Sequence, residues 1–116
     1  MKDYTGKITL DGKDYPLIFN LNVMEQIQEE YGTVEKWGRL TDGKQGEVNA
    51  KALIFGLTAM YNEAVDMAND ENGTHLPFIT AKQMGRLISR AGLQKSAEAL
   101  NNAVIEATQG DNSKNA

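Results

Sequence analysis

The sequence predicts an α+β fold, and three features carry that prediction: an N-terminal hairpin signal, a strand-to-helix handover behind it, and helical periodicity in the remainder. The expected architecture is an N-terminal β-hairpin packed on a bundle of four main α-helices, with one extra short helical turn. Asp11-Gly12-Lys13-Asp14 lies between Lys7–Leu10 and Tyr15–Phe19. Asp-Gly between alternating apolar residues is a strong short-range hairpin signal. Ile8 and Leu10 fall on one face, and Tyr15, Leu17 and Phe19 share theirs, so the ribbon has an apolar side that helices or another sheet must cover. Pro16 donates no ladder bond, so its edge of the strand is expected to face outward or lie unpaired.

The handover is the stretch from Leu17 to Gly32. Asn22 is read as the N-cap of the first helix, with Glu25 completing a capping box. Val23, Met24, Ile27 and Tyr31 make its apolar side, and Gly32 is its stop. Thr33 caps a short turn through Val34 and Trp37, ended by Gly38, and residues 41–46 read as a loop. A long helix from Val48 to Ala68 carries Leu53, Leu57, Met60, Tyr61, Ala64 and Ala68 at steps of three and four, and is expected to sit centrally. Residues 69–77 read as a polar surface loop. Thr80 and Gln83 form a second capping box, with Ile79 and Met84 as its hydrophobic staple. Met84, Leu87, Ile88 and Ala91 follow as a stripe, stopped by Gly92. The last helix spans Gln94 to Thr108, and 110–116, small and polar, is expected to be a disordered tail.

A chain of 116 residues with 41% hydrophobic and 24% charged content fits one globular domain, taken as residues 1–109. Without cysteine there is no disulfide framework, thiol nucleophile or thiolate metal site. No charged-then-apolar leader stands in the first residues and no apolar run approaches membrane-spanning length, so the expectation is a soluble cytoplasmic domain that engages no membrane. The net charge of −4 argues against sequence-independent nucleic-acid binding.

No constellation points to catalysis, metal or cofactor. The single histidine, His75, stands in a loop without a second His or Cys. The acidic run Asp66, Asp70, Glu71 fails the register of a calcium loop, because taking Gly73 as the turn glycine puts Ala68 and Ile79 at the end ligand positions. Asn72-Gly73-Thr74 is a formal glycosylation sequon with no sign of secretion beside it. The remaining features are surfaces. Lys82, Arg86 and Arg90 are spaced by four and form a basic ridge opposite an apolar stripe. Glu25 and Glu29 form an acidic ridge, with Glu35 soon after. Each ridge also has an ordinary reading as a solvated face. Phe55 points away from the main apolar face of its helix, amid Ala52, Gly56 and Ala59. Another helix could approach that small-residue surface closely, and the last helix or the Trp37 turn of the same chain is an equal candidate to cover it.

Phe19, Leu21, Asn22, Met24, Glu25, Ile27, Glu29, Tyr31 and Gly32 spell F-x-L-N-x-M-E-x-I-x-E-x-Y-G behind a short hairpin. In this the chain resembles the tail assembly chaperones of long-tailed bacteriophages and prophages, closely from Leu17 to Trp37 and in architecture beyond. The resemblance implies a non-enzymatic protein of the bacterial host cytoplasm. Such a protein binds the long tape measure protein and holds it soluble until tail tube protein polymerises around it. It also implies a short form whose frameshift-extended counterpart carries a further segment. With the two ridges, it suggests head-to-tail self-association into a ring or filament, Lys82, Arg86 and Arg90 meeting Glu25 and Glu29 of a neighbour and the Phe55 patch supplying affinity. The alternative is a small regulatory module using the helix after Thr80 in helix-turn-helix fashion on DNA, against which the acidic balance counts. A virion structural adaptor with the same interaction chemistry is a third, weaker reading.

Overall fold

A computed structural model describes residues 4–44 and 46–114, with side-chain surroundings for 6–44 and 46–106. Strands β1 (Tyr4–Leu10) and β2 (Lys13–Phe19) pair antiparallel from Leu10↔Lys13 to Tyr4↔Phe19. Asp11 and Gly12 both have positive φ, 53° and 78°, which is the two-residue turn whose twist matches a hairpin. Pairs alternate between hydrogen-bonded and open from that closing pair, so Pro16, opposite Lys7, falls in an open one where its missing N–H costs nothing. On the solvent side the Thr9 hydroxyl donates to Asp14 at 2.6 Å and Lys7 Nζ lies 3.0 Å from the same carboxylate. The Thr9 hydrogen bond, then the Lys7 ammonium, hold the Asp14 carboxyl below its ordinary pKa.

Five helices follow: α1 (Leu21–Tyr31), α2 (Val34–Thr41), α3 (Ala50–Asn72), α4 (Ala81–Ala91) and α5 (Leu93–Lys114). The fold is the expected α+β class. Ile8, Leu10, Tyr15, Leu17 and Phe19 form the covered face of the hairpin, with Phe19 fully buried. Helix α3 packs along β2 and α5 along β1, while α1, α2, α4 and α5 all rest on α3. Leu53, Leu57 and Met60 of α3, Val23 and Ile27 of α1, Met84 and Ile88 of α4, and Ala97 and Leu100 of α5 meet the hairpin in one core.

Several boundaries differ from the sequence reading. The N-cap of α1 is Asn20, two positions before the expected Asn22: its extended backbone ends the strand and its Oδ1 accepts from Val23 N at 3.2 Å. Asn20 wins because it is held from the far side, its amide donating to Glu63 Oε2 at 2.7 Å. Asn22 lies outside and donates to the same oxygen at 3.1 Å, and Glu25 takes no part in capping. The short turn after Thr33 is an eight-residue helix that passes through Gly38. A helical glycine costs only about 1 kcal/mol, and this one is outweighed by anchors on either side. Trp37 is buried with its indole N–H donating to the Ala52 carbonyl at 2.9 Å, and the fully buried Thr41 has its carbonyl capped by Asn101 at 2.9 Å.

Helix α3 begins after Asn49, whose side chain accepts from Ala52 N at 2.9 Å, and runs past Ala68 to a left-handed Gly73. The Thr80–Gln83 capping box forms with both bonds, 2.9 and 3.1 Å. Only Gly92 separates α4 from α5. The backbone of α5 continues to Lys114, so the first part of the expected tail is helical, and the remainder of 110–116 lies outside the described residues. A lone Gly110 amid residues without proline does not stop a helix already four turns long.

The small-residue surface on α3 is covered from within. Trp37 lies against Gly56 so closely that a methyl there would overlap Trp37 Cζ2. Two outcomes follow. Phe19→Ala should cost about 3–5 kcal/mol, read from denaturant melts, because it empties a fully buried site between hairpin and helices. Gly56→Ala should cost roughly 1–3 kcal/mol even though alanine is the better helix former, because the indole has to move. Little loss in either variant would mean that the hairpin or the α2–α3 contact is peripheral.

Candidate functional site

The connection from α3 to α4 is where the structure adds most to the sequence. Residues 69–77 read as a polar surface loop, yet the observed connection, 73–80, is fixed to α3 by two asparagines. Asn62 Nδ2 donates to the Ile79 carbonyl at 2.9 Å while its Oδ1 accepts from Ile79 N at 2.8 Å. One stretch earlier in the loop, Asn69 does the same for Leu76: its Nδ2 donates to the carbonyl at 3.1 Å and its Oδ1 accepts from the N–H at 2.9 Å. Asn69 Oδ1 also accepts from the Thr74 hydroxyl at 2.8 Å. An asparagine amide presents the donor and acceptor of a peptide group, so each one replaces a neighbouring strand. Asn62 and Asn69 are seven apart, hence on one side of α3, and hold the loop alongside it. The consequence is that Leu76 and Phe78 stand out at 53% and 56% exposure on a backbone fixed beneath them.

Phe78 borders a groove between the hairpin and α4. Its floor is Tyr15, Tyr61 and Leu87, and its walls carry Lys13, Arg86 and Arg90. Tyr15 and Tyr61 meet edge to face at 5.5 Å, and the Lys13 ammonium sits 5.5 Å above the Tyr15 ring. Among the described residues no carboxylate lines the groove, and the nearest acidic contact is Asp11, 3.9 Å from Arg90 at the hairpin turn. In a chain of net charge −4 this concentration of cations over aromatic rings is a local feature. Of the basic ridge read from the sequence, Arg86 and Arg90 enter the groove. Lys82 is exposed on its outer shoulder.

The acidic ridge lies elsewhere. Glu25 and Glu29 are exposed on the outer side of α1 and pair with no described residue, sharing that stripe with Leu21, which is 66% exposed. Glu35 is engaged locally, 2.6 Å from Arg39 one turn on, and does not extend the ridge. Phe55 is half-buried, its ring meeting Tyr31 edge to face at 5.6 Å. Burial, then the neighbouring Glu30 charge, push the Tyr31 hydroxyl pKa up. The open edge of Phe55 lines a separate cleft with Gln26, Thr58, Glu63 and Asp66, so it belongs to neither ridge.

A third surface is apolar. Pro16, Leu17 and Ile18 of β2 and Ala64, Met67 and Ala68 of α3 line a groove with Lys7 and Glu71 at its rims. Among the described residues no three His, Asp or Glu side chains come together as a metal site, and no helix is long and apolar enough to cross a membrane. His75 is exposed in the pinned loop.

No protein-family model matches the chain, and neither does any curated protein or solved structure. Sequence reasoning located Arg86 and Arg90 but missed Lys13, the aromatic floor of the groove and the loop that frames it. The available signal was Asn62 and Asn69 at heptad spacing on a helix otherwise read for its apolar face. Asn62→Ala should free both backbone groups of Ile79, lower stability by roughly 1–3 kcal/mol, and increase hydrogen exchange at Leu76 and Ile79. Unchanged exchange there would show that the loop holds its shape without the asparagines.

Proposed function

We propose that this chain is a non-enzymatic protein-binding chaperone of phage or prophage tail assembly, acting in the bacterial host cytoplasm on the tape measure protein. The observation that carries the reading is the apolar groove beside β2. Ala64 and Ala68 leave room over α3, Pro16 and Ile18 supply a flat apolar wall, and Met67 adapts to varied side chains. A groove of this make suits the apolar face of an amphipathic helix, with Lys7 and Glu71 placed to meet its charged margins. The F-x-L-N-x-M-E-x-I-x-E-x-Y-G resemblance gives the same direction. It suggests a client that is long, helical and prone to aggregate until tail tube protein encloses it. Adaptation of a virion structural part is compatible with the same groove but requires no release.

The second reading, contact of α4 with DNA, is favoured only by the cluster Lys13, Lys82, Arg86 and Arg90. The α3–α4 connection is eight residues, 73 to 80, where a helix-turn-helix uses three or four.

Coexpression with the protein encoded next downstream tests the proposal. The expected result is a soluble complex that Ala68→Arg abolishes without lowering the melting temperature of the chaperone. A client that stays insoluble with both forms, or a chain that binds random duplex DNA with a steep salt dependence, would overturn it.

A further inference from the structure

We infer that the cationic aromatic groove is a docking site for an acidic linear segment of another protein, one that carries an apolar side chain beside its carboxylates. This stands on the charges and hydrogen-bonding groups of the groove and does not rest on the tail-assembly reading. The groove shares no lining residue with the apolar one beside β2. Arg86 has no acidic partner among the described residues, and neither has Lys13, whose ammonium is met only by the Tyr15 ring. Arg90 has Asp11 at 3.9 Å, with both side chains more than half exposed, and such a pair contributes little.

The side chains that line the groove offer charged donors and, among the described residues, no charged acceptor. Gln83 adds to the donors. Its Oε1 accepts from the Thr80 N–H at 2.9 Å in the capping box, which leaves the Nε2 hydrogens for a ligand. Such a set calls for a ligand rich in charged acceptors. The backbone adds a further pair of groups. Leu76 and Ile79 commit their N–H and carbonyl groups to Asn69 and Asn62, whereas those of Phe78 between them take no partner among the described residues. A peptide backbone offers the matching donor and acceptor, as when a segment adds to an open strand edge. The Phe78 side chain is 56% exposed over backbone fixed on both sides, so it makes an apolar contact without a loop having to be ordered first.

Single-stranded nucleic acid is the other ligand that cations and aromatic rings hold, and the rings argue against it. Stacking of successive bases needs open ring faces. Tyr15 is buried, Lys13 sits over its face, and Tyr61 meets it edge to face. Of the aromatic rings lining the groove, only Phe78 is exposed, so successive bases have no platform. A phosphate chain would also have to approach a protein of net charge −4, whereas a short run of carboxylates meets only the local cations. The partner is thus a peptide with carboxylates for Arg86, Arg90 and Lys13 and an aromatic or branched apolar side chain for Phe78.

Selection of a random linear-peptide library on the intact chain, followed by titration of a selected peptide in solution, is the test. The selected sequences should be enriched in Asp and Glu beside Phe, Leu or Ile, and the titrated peptide should bind less tightly as salt is added. Arg86→Glu and Phe78→Ala should each weaken its binding about tenfold or more, with unchanged melting temperature. Selection on Arg86→Glu should return sequences with Lys or Arg in place of one of the acids. Because Ala68 lies in the other groove, Ala68→Arg should leave peptide binding unchanged, so failure of this contact and failure of client binding are read separately. Selection without enrichment in acidic residues, or binding indifferent to Arg86→Glu or to Phe78→Ala, would overturn the inference. So would an oligothymidylate that binds more tightly than the peptides, or peptide affinity that falls as the concentration of the chain rises, the mark of a second copy in the groove.

Discussion

A ribbon of two strands has an apolar face and no sheet to share it with, and the rest of this structure is arranged to meet that demand. A lone hairpin is marginal in water, so Ile8, Leu10, Tyr15, Leu17 and Phe19 are stable only under cover. Helix α3 takes β2 and α5 takes β1, and that leaves the other helices to be placed by α3. Asn20 fixes the angle between the two layers. It ends the strand, caps α1, and reaches across to Glu63 on α3, so one side chain ties together three elements. Trp37 does the corresponding work on the other flank by entering the notch at Gly56 and bonding Ala52. Burial drives the assembly, and these two polar anchors decide its geometry.

What was legible in the sequence follows the reach of the signals. The hairpin turn and the Thr80–Gln83 box depend on residues within a few positions of one another, and both formed where the residue types placed them. The faces of the helices were legible for the same reason, since a period of 3.6 is a local property. Asn20 was passed over for Asn22 because the two are equivalent as caps, and only Glu63, forty-three residues away, distinguishes them. The Gly38 stop failed likewise, because Asn101 and the core hold α2 together beyond it. The pinning of the loop by Asn62 and Asn69 was passed over because polar residues on a helix ordinarily face solvent, and their heptad spacing alone does not say what they hold.

The same distinction explains the partial legibility of the candidate site. A basic ridge spaced by four is a sequence property, and Arg86 and Arg90 emerged from it. Whether a ridge is a solvated face or one wall of a groove depends on what packs beside it. Here that is Tyr15 from the hairpin and Phe78 from the loop, neither near α4 in a way that periodicity reveals. Phe55 shows the converse. Its helix face looked available for a partner, but Tyr31 and Trp37 of the same chain had already taken most of the surrounding surface.

The two grooves draw on successive stretches of one strand. Lys13 and Tyr15 border the cationic groove, and Pro16, Leu17 and Ile18 border the apolar one. Helix α3 serves both as well, with Tyr61 on the first and Ala64, Met67 and Ala68 on the second. The make-up of both grooves depends on register. A slip of one residue in β2 would exchange its two faces, burying Pro16 and Asp14 while expelling Leu17 and Tyr15. The Asp11-Gly12 turn prevents this by closing the ribbon at Leu10 and Lys13, in a geometry that most other residue pairs adopt only at a cost. The turn thus determines, from outside both grooves, which side chains each of them contains.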